Sequence, residues 1–394
     1  MYKRLLLLLI LCSLSTVTYC QLKLSVYSEV SIVTAGPGSE LYEAFGHSAI
    51  RVKDPLLKLD LIYNYGMFDF NAPNFYINFA QGKLYYKLQS YDFKYFLRGY
   101  QIEKRWVKQQ VLNLNQAEKQ AFFMYLQNNA RPENATYLYD PFFNNCATIL
   151  RDITTLILKN KVNFKAVSLE SSGKTLRELM NAEIPHNTWG NFGINLATGT
   201  ILDKKREVTE YMYLPDYVFK NFKNATIKIA GEIKPLVEKE ETLLNFKEIK
   251  SNILFFNPIL VFIILAVLAF FITYKDIKKK TRTRSLDFII FFITGLIGVI
   301  LAYLWLFSSH KIVPNNFNIL WAFAPNIIMA FFIFKKITKI WLQKYILILI
   351  GFILMIPILW IARVQSFPVA VIPLLILFLG RYVYLYTFLL TSKK

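Results

Sequence analysis

The feature that most constrains this chain is the concentration of long apolar runs in its last third. Five such runs lie near residues 252–274, 286–307, 317–334, 341–362 and 370–390. A helix needs about 20 apolar residues to cross the hydrocarbon core of a bilayer, and each run is close to that length, the third being the shortest. Residues 252–394 are therefore predicted to form an all-α membrane domain, a transmembrane bundle of about five helices.

The loops between these runs differ sharply in positive charge. The loop at 275–284 holds six Lys or Arg residues and the loop at 335–344 holds four, whereas the second and fourth loops hold one each. Basic loops stay in the cytoplasm, so both basic loops and the C-terminus are predicted to be cytoplasmic. Much of the formal net charge of +20 is thus explained by topology. Because no nucleic-acid-binding pattern accompanies it, no nucleic-acid partner is expected.

The N-terminal part of the chain is predicted to lie outside the cytoplasm. Residues 1–20 have a charged start, a short apolar core and small residues near Cys20, which is typical of a cleaved signal peptide. A lipid anchor at Cys20 and an uncleaved membrane anchor are the alternatives. Residues 21–240 contain no run of spanning length and are predicted to form a periplasmic domain, with 241–251 as the linker to the bundle.

Cys146 is the only cysteine that would remain after cleavage near Cys20. A disulfide within one mature chain is then excluded, so the thiol is either buried and inert or retained for its reactivity. The segment FFNNCATILRD predicts that Cys146 lies at or near the first turn of a helix. The helix dipole there favours a thiolate by about 0.3–1 kcal/mol, which is less than one pKa unit. A reactive thiol at this position therefore needs a neighbouring base.

His47 is the predicted base. It lies in the segment AFGHSAIRV, at the expected start of a strand, whereas His186 lies in a loop flanked by Pro and Gly and is interpreted as a surface residue. A Cys–His pair usually has a third polar group that orients the imidazole. Asn64, on the next predicted strand, is the first candidate, followed by Asp69 and Tyr65.

Other polar residues are candidates for supporting positions. Asn145 and His310 are predicted to border the active site, although the loop 308–316 that contains His310 has an alternative interpretation as a cap before the third apolar run. Arg381 interrupts the last run and is expected to extend to the cytoplasmic interface, or alternatively to contact a lipid headgroup. The histidines and Cys146 are too scattered for a zinc site, so neither a metal nor another cofactor is expected.

Four segments, in this order, resemble the Lnb N-terminal periplasmic domain family. They are AFGHSAIRV, YNYGMFDFNAPNFY, YDPFFNNCATILRD and LATGTILDKKREVTEYMYLPDYVF, within residues 25–230. The membrane part, which includes HKIVPNNFNILWAFAPN, is similar to the C-terminal region of full-length members. The resemblance implies an α+β, permuted papain-like domain in which Cys146 is the nucleophile and His47 the general base. It also implies a lipoprotein N-acyltransferase of the bacterial inner membrane.

The expected partners follow from that activity. The acyl donor would be a membrane phospholipid, and the acceptor a diacylglyceryl-modified lipoprotein whose N-terminal cysteine has a free α-amine. A thioester on Cys146 would link the two half-reactions. Two other functions remain open: a periplasmic papain-like cell-wall amidase or peptidase, which would need no helical bundle beyond an anchor, and a non-catalytic membrane scaffold with an inert thiol.

Overall fold

The computed structural model describes residues 22–164, 173–248, 255–335 and 341–391. The predicted signal peptide lies outside these residues, as do the last residues of the linker and the final lysines of the C-terminal tail. The strands are β1 (Glu29–Ala35), β2 (His47–Asp54), β3 (Leu59–Met67), β4 (Tyr85–Asp92), β5 (Val107–Leu112), β6 (Thr136–Leu138), β7 (Val162–Asn163), β8 (Thr226–Ile229), β9 (Glu232–Pro235) and β10 (Val237–Leu244).

The helices of the described residues fall into two groups. In the external domain they are α1 (Phe75–Ala80), α2 (Phe93–Ile102), α3 (Gln116–Asn129), α4 (Cys146–Leu158), α5 (Leu176–Glu183), α6 (Trp189–Ala197) and α7 (Pro215–Asn224). In the membrane part they are α8 (Pro258–Lys279), α9 (Arg284–Phe307), α10 (Asn326–Ile333), α11 (Trp341–Ile361) and α12 (Val371–Thr391). The predicted arrangement of an α+β domain followed by apolar helices is therefore confirmed.

An antiparallel sheet of seven strands, in the order β10-β5-β1-β2-β3-β4-β6, forms the centre of the external domain. Its middle strands are covered on both faces. Ile32 of β1 packs in the same cluster as Leu150 of α4, and the next residue, Val33, packs in the opposite cluster with Phe96 of α2. Burial on both faces explains why these strands have apolar runs rather than a strict alternation. β10 continues to Leu244, past the predicted domain limit at residue 240, because it pairs with β5.

Helix α4 crosses the sheet and determines where the cysteine lies. Its buried residues include Leu150, Ile153 and Leu158, whose spacing places them on one side of a helix. That side packs against β2 and β3. Because α4 begins at Cys146 and β2 begins at His47, the packing brings the two predicted catalytic residues toward the same edge of the domain.

The membrane part has four helices of spanning length and composition among the described residues, namely α8, α9, α11 and α12. The predicted fifth span, 317–334, is not confirmed. It forms a short 3-10 turn at Phe317–Leu320 and then α10, which has only eight residues. Pro325 has no N–H to continue a helix, and the buried Asn318 side chain donates to the Leu196 carbonyl of the external domain. These features bend the segment into the domain interface.

The expectation for Arg381 was wrong. Its side chain is 1% exposed and lies inside the bundle, where the guanidinium Nε donates to Asp287 at 2.7 Å and Nη1 donates to Asp276 at 2.8 Å. These two carboxylates come from α9 and α8, and Arg381 comes from α12. The arginine therefore joins three helices instead of extending to the interface or contacting a lipid headgroup.

The external domain is packed directly against one end of the bundle. Phe192 of α6 contacts Phe262 of α8, and the Trp189 indole donates to the Phe256 carbonyl at 2.8 Å. Gly199 N donates to the Ile312 carbonyl of the loop between α9 and the 3-10 turn. That loop is the weakly basic one that charge predicts to be external, so its contact with the external domain agrees with the predicted orientation.

Candidate active site

The residue before Cys146 holds the start of α4 in place. The Asn145 side-chain oxygen accepts hydrogen bonds from the backbone N–H groups of Ala147 and Thr148, both at 2.9 Å. Its amide nitrogen donates to the carbonyls of Pro141 and Tyr213, both at 2.8 Å. The oxygen thus caps the helix, and the nitrogen ties the cap to the segments that contain Pro141 and Tyr213. Asn145 adjoins the candidate site through Cys146, and its contacts indicate a positioning role.

The cysteine and the histidine meet beside a glycine. A Cβ atom on Gly66 would lie 3.7 Å from Cys146 Cβ and 3.9 Å from His47 Cε1. Gly66 has a φ of +94°, and the pairing of β3 with β4 is irregular between Asn64 and Met67. A glycine accommodates this backbone geometry. It also leaves space next to the thiol and the imidazole.

Asn64 is hydrogen-bonded to the histidine. His47 Nε2 lies 2.6 Å from Asn64 Oδ1, and the Asn64 amide nitrogen donates to Tyr91 Oη at 3.0 Å and to Met67 Sδ at 3.2 Å. The two acceptors of the amide nitrogen orient its oxygen toward the imidazole. Since Nε2 is occupied by Asn64, Nδ1 is the ring nitrogen that remains for Cys146.

The two other candidates for the third residue lie elsewhere. Tyr65 follows Asn64 on β3, so its side chain points to the opposite face, where its hydroxyl accepts a hydrogen bond from Asn129 at 2.8 Å. The Asp69 carboxylate accepts from the backbone N–H of Asn71. Of the three candidates, Asn64 is therefore the one that the structure brings to His47, and its orienting role stays a prediction.

The pKa values of the pair shift in opposite directions. Burial raises the pKa of the Cys146 thiol, but the charge and hydrogen bond of His47, together with the backbone N–H groups of Ser48 and Cys146, lower it below its ordinary value. Burial lowers the pKa of His47, whereas the Cys146 thiolate and the hydrogen bond to Asn64 outweigh burial and raise it. This pattern favours a thiolate–imidazolium pair, which is the nucleophilic form of a cysteine.

Two tyrosines near the thiol were not singled out from the sequence. Burial is the main cause that raises the pKa values of Tyr137 and Tyr139, and the negative charge of Cys146 raises them further. Both phenols therefore remain protonated beside the thiolate. The signal for them was the alternation TYLY on β6 and just after it, which places Tyr137 and Tyr139 on the same face.

The two other histidines of the chain, His186 and His310, lie in different places. His186 is exposed, as expected. His310 lies against α1, where its Nε2 is 2.6 Å from the Phe79 carbonyl oxygen, and the next residue, Lys311, lies 5.6 Å from the centre of the Phe143 ring. The loop 308–316 therefore reaches the segment before Cys146 through Lys311. Asn316 caps the following 3-10 turn, as the alternative interpretation of this loop predicts.

The chemistry available at this site is that of a thiol, an imidazole and an amide. In the described parts of the chain, no group of three or more His, Cys, Asp or Glu side chains is arranged to hold a metal ion. The arrangement is suited to covalent catalysis, in which a thiolate attacks a carbonyl carbon and the imidazole transfers the proton.

Two family models match the chain. The Lnb N-terminal periplasmic domain matches residues 19–182, and the Lnb transmembrane domain matches residues 249–394. The first match contains His47, Asn64 and Cys146, and the second contains the loop that touches the external domain. Neither a curated protein nor a solved structure matches the chain.

Proposed function

The chain belongs to the Lnb family, with a periplasmic domain followed by a transmembrane domain, and on that premise we propose that it is a membrane-anchored lipoprotein N-acyltransferase. The donor is a bilayer phospholipid, and the acceptor is the free α-amine of a diacylglyceryl-modified N-terminal cysteine. One observation carries the proposal: Cys146 and His47 lie together beside Gly66, in a domain whose Phe142 packs with the membrane loop.

In the first half-reaction, the Cys146 thiolate attacks the ester carbonyl carbon of the phospholipid and forms a C–S bond. The backbone N–H of Cys146, at the start of α4, is assigned as a donor for the oxyanion of the tetrahedral intermediate. When the C–O bond breaks, the His47 imidazolium gives its proton to the leaving alkoxide. The products are a thioester on Cys146 and a lysophospholipid.

In the second half-reaction, the lipoprotein α-amine attacks the thioester carbonyl. The His47 imidazole accepts a proton from the attacking nitrogen, and the C–S bond breaks to release the amide product. Cys146 returns as a thiolate and His47 as an imidazolium, so the pair is ready for another donor. Asn64 holds the ring in the orientation that both proton transfers need.

The contact between the external domain and the bundle favours lipid-linked substrates over soluble peptides. Phe142, four residues before Cys146, packs in one apolar cluster with Ile312 and Val313 of the external membrane loop. Both proposed substrates are confined to the bilayer by their acyl chains. A site held at the bundle surface therefore meets them at a high effective concentration.

The proposed topology is that of a bacterial inner-membrane protein. The external domain would lie in the periplasm, beside loop 308–316, and the C-terminus would lie in the cytoplasm. The end of α8 far from the external domain carries Lys278 and Lys279 in its last turn, as expected of a cytoplasmic end.

The test is the replacement of Cys146 by Ala in a strain that depends on this protein for lipoprotein N-acylation. Mass spectrometry of lipoprotein N-termini should then show the diacylated form with a free α-amine. Thr155→Ala is the matched control, since Thr155 lies on the exposed side of the same helix. Unchanged N-acylation in the Cys146→Ala strain would contradict the proposal.

A further inference from the structure

The short helix α1 exposes large apolar side chains next to the membrane part. Tyr76 is 74% exposed, Ile77 is 57% exposed and Phe79 is 46% exposed, whereas Phe75 is buried on the inner side. We call Tyr76, Ile77 and Phe79 the outer face of α1. Adjoining exposed apolar residues of this size usually mark a surface that contacts another apolar body.

The position of α1 relative to the membrane surface is fixed by its contacts with the external end of α9. Gln81, just after α1, donates to the Tyr303 hydroxyl at 3.1 Å, and its carbonyl accepts from Ser309 N at 2.8 Å. Tyr303 lies one turn before the end of α9 at Phe307, which corresponds to about 6 Å along the helix axis. The end of α1 is therefore level with the last turn of a membrane-spanning helix, a depth at which aromatic side chains are favoured.

A continuous line of aromatic rings leads from α1 toward the thiol. Phe75 packs on Phe68 with ring centres 5.9 Å apart, Phe68 stacks on Tyr86 at 4.9 Å, and Tyr86 stacks on Tyr139 at 4.1 Å. These four residues, Phe75, Phe68, Tyr86 and Tyr139, are called the aromatic tract.

Two members of the tract, Tyr139 at its end and Phe68 within it, lie near Cys146. Tyr139 lies within electrostatic range of the thiolate. Phe68 is two residues from Gly66, whose missing Cβ would lie 3.7 Å from Cys146 Cβ. The tract thus joins the depth of the lipid headgroups to the candidate nucleophile through apolar contacts.

We propose that the outer face of α1 inserts into the outer leaflet and that the aromatic tract guides an acyl chain of a bilayer phospholipid to Cys146. This inference rests on the proposed function for the identity of the transferred group. The occupant is lipid rather than protein because α1 is hydrogen-bonded to the end of a spanning helix. The exposed Lys83, three residues after α1, has the charge that a headgroup phosphate attracts.

The position of α1 is tested without reference to activity. In the full chain with Cys12, Cys20 and Cys146 replaced by Ser, a nitroxide label on Ile77→Cys is compared with one on Ile233→Cys. Ile233 on β9 is a matched control, since it is 76% exposed and belongs to the separate β7–β8–β9 sheet. The protein is reconstituted into phosphatidylcholine–phosphatidylglycerol vesicles.

The label at residue 77 should be relaxed more strongly by oxygen, which partitions into lipid, than by a water-soluble nickel chelate. The label at residue 233 should show the reverse. Equal access of the nickel chelate to both labels would overturn the inference. Dipolar broadening between the labels at residue 77 of two copies would also overturn it, because a second copy of the chain would then cover α1.

The role of α1 in delivering the acyl donor is tested through acylation of Cys146. Ile77→Asp should lower the rate of acyl transfer from vesicle phospholipid to Cys146 by about tenfold or more, because a charge opposes insertion of α1. Its Cys146 should react with iodoacetamide, a small water-soluble reagent, at the wild-type rate. Ile233→Asp should leave both rates unchanged.

The acylation measurements distinguish the role of α1 from the proposed acyltransferase activity. Wild-type acylation by the Ile77→Asp variant overturns the role of α1 and leaves the acyltransferase intact. Absence of an acyl group on wild-type Cys146 overturns the acyltransferase and the lipid path together.

Discussion

Two polar clusters of the described residues, one buried in the bundle and one half-buried in the external domain, differ in their hydrogen bonding. In the bundle, Arg381 donates to Asp276 and Asp287 and to the Thr283 carbonyl, so that all three guanidinium nitrogens have acceptors. In the external domain, Cys146 is paired with His47 but adjoins a glycine that leaves space beside the thiol. A cluster centred on a fully hydrogen-bonded arginine is suited to holding helices together, and one with room beside a thiolate is suited to chemistry.

The same physical effects produce this contrast. Burial opposes charge in both clusters, and opposite charges and hydrogen bonds compensate for it. In the bundle, compensation comes from full charges on three helices. At Cys146, it comes from one imidazole and two backbone N–H groups, which is enough to lower the pKa of the thiol but leaves the sulfur free to attack a carbonyl. We therefore expect mutations in the two clusters to have separable effects.

The largest expected change in the rate of acyl transfer comes from removing the His47 imidazole. His47→Ala should lower acyl transfer by about a thousandfold, or about 4 kcal/mol of activation free energy, because the thiolate loses its charge partner and the proton carrier is lost. The unfolding temperature of the purified protein should change little. Replacing the exposed His186 by Ala is the control. A His47→Ala variant with wild-type turnover would show that the Cys146 cluster is not catalytic, and the contrast with the structural Arg381 cluster would be wrong.

Arg381→Leu should have the opposite profile. Removing one partner of a buried ion cluster costs about 3–5 kcal/mol, and here Asp276 and Asp287 both lose the arginine that pairs with them. The amount of folded protein and its unfolding temperature should fall, while the remaining folded fraction keeps its turnover per molecule. The exposed Arg363→Leu serves as the control. A normal unfolding temperature in Arg381→Leu would show that the cluster is not structural.

Asn64→Ala should have a smaller effect on turnover, of about 10 to 100 fold, because it removes only the group that orients His47. A positioning role predicts more than a loss of rate. Without the hydrogen bond that the His47 imidazolium donates to Asn64, the pKa of His47 should fall, so the pH–rate profile of the variant should shift. Gln89, which is exposed and pairs with Asn64 on β4, provides a control when replaced by Ala. A loss of rate with an unshifted profile would contradict the assignment.

The smallest expected effect is a shift of the pH at which the thiol reacts. Since His47 lowers the pKa of Cys146, the thiolate persists below the pH at which an ordinary cysteine is protonated. Alkylation by iodoacetamide should therefore remain fast near neutral pH and decrease only as the pH falls through the lowered pKa. In His47→Ala the midpoint should move to higher pH. Identical midpoints for both proteins would show that the imidazole does not set the state of the thiol.

The sequence predicts the position of the site well because local patterns determine it. Asn145 and Pro141 mark the start of a helix, and the segment after Gly46 has the composition of a strand, so Cys146 and His47 are each predicted at the start of an element. The choice among Asn64, Tyr65 and Asp69 required the side-chain direction on β3, which an irregular pairing after Asn64 obscures. The hydrogen bonds of the folded domain bring Asn64 to His47, and its orienting role stays a prediction.

The parts that sequence patterns missed depend on distant contacts. The partners of Arg381 cannot be recognised from local sequence, since Asp276 and Asp287 lie 105 and 94 residues away along the chain. The sequence alone therefore predicts an interfacial position for Arg381, which is wrong. The run 317–334 has nearly the length of a span, but Asn318 and Pro325 turn it toward the external domain. Length and hydropathy do not reveal such an interface. The family matches support both domains and leave the reaction itself to be tested.

The proposed thioester on Cys146 can be detected by following the mass of the peptide that contains this residue. Wild-type protein is incubated with phosphatidylglycerol vesicles without acceptor, and a diacylglyceryl peptide with a free N-terminal amine is then added. We expect one acyl group on Cys146 of the wild-type protein and none on the Cys146→Ala variant. When the acceptor is added, the acyl group should leave Cys146 as the N-acylated peptide appears. An unmodified Cys146, or an acyl group that remains after the acceptor is added, would contradict the proposed reaction.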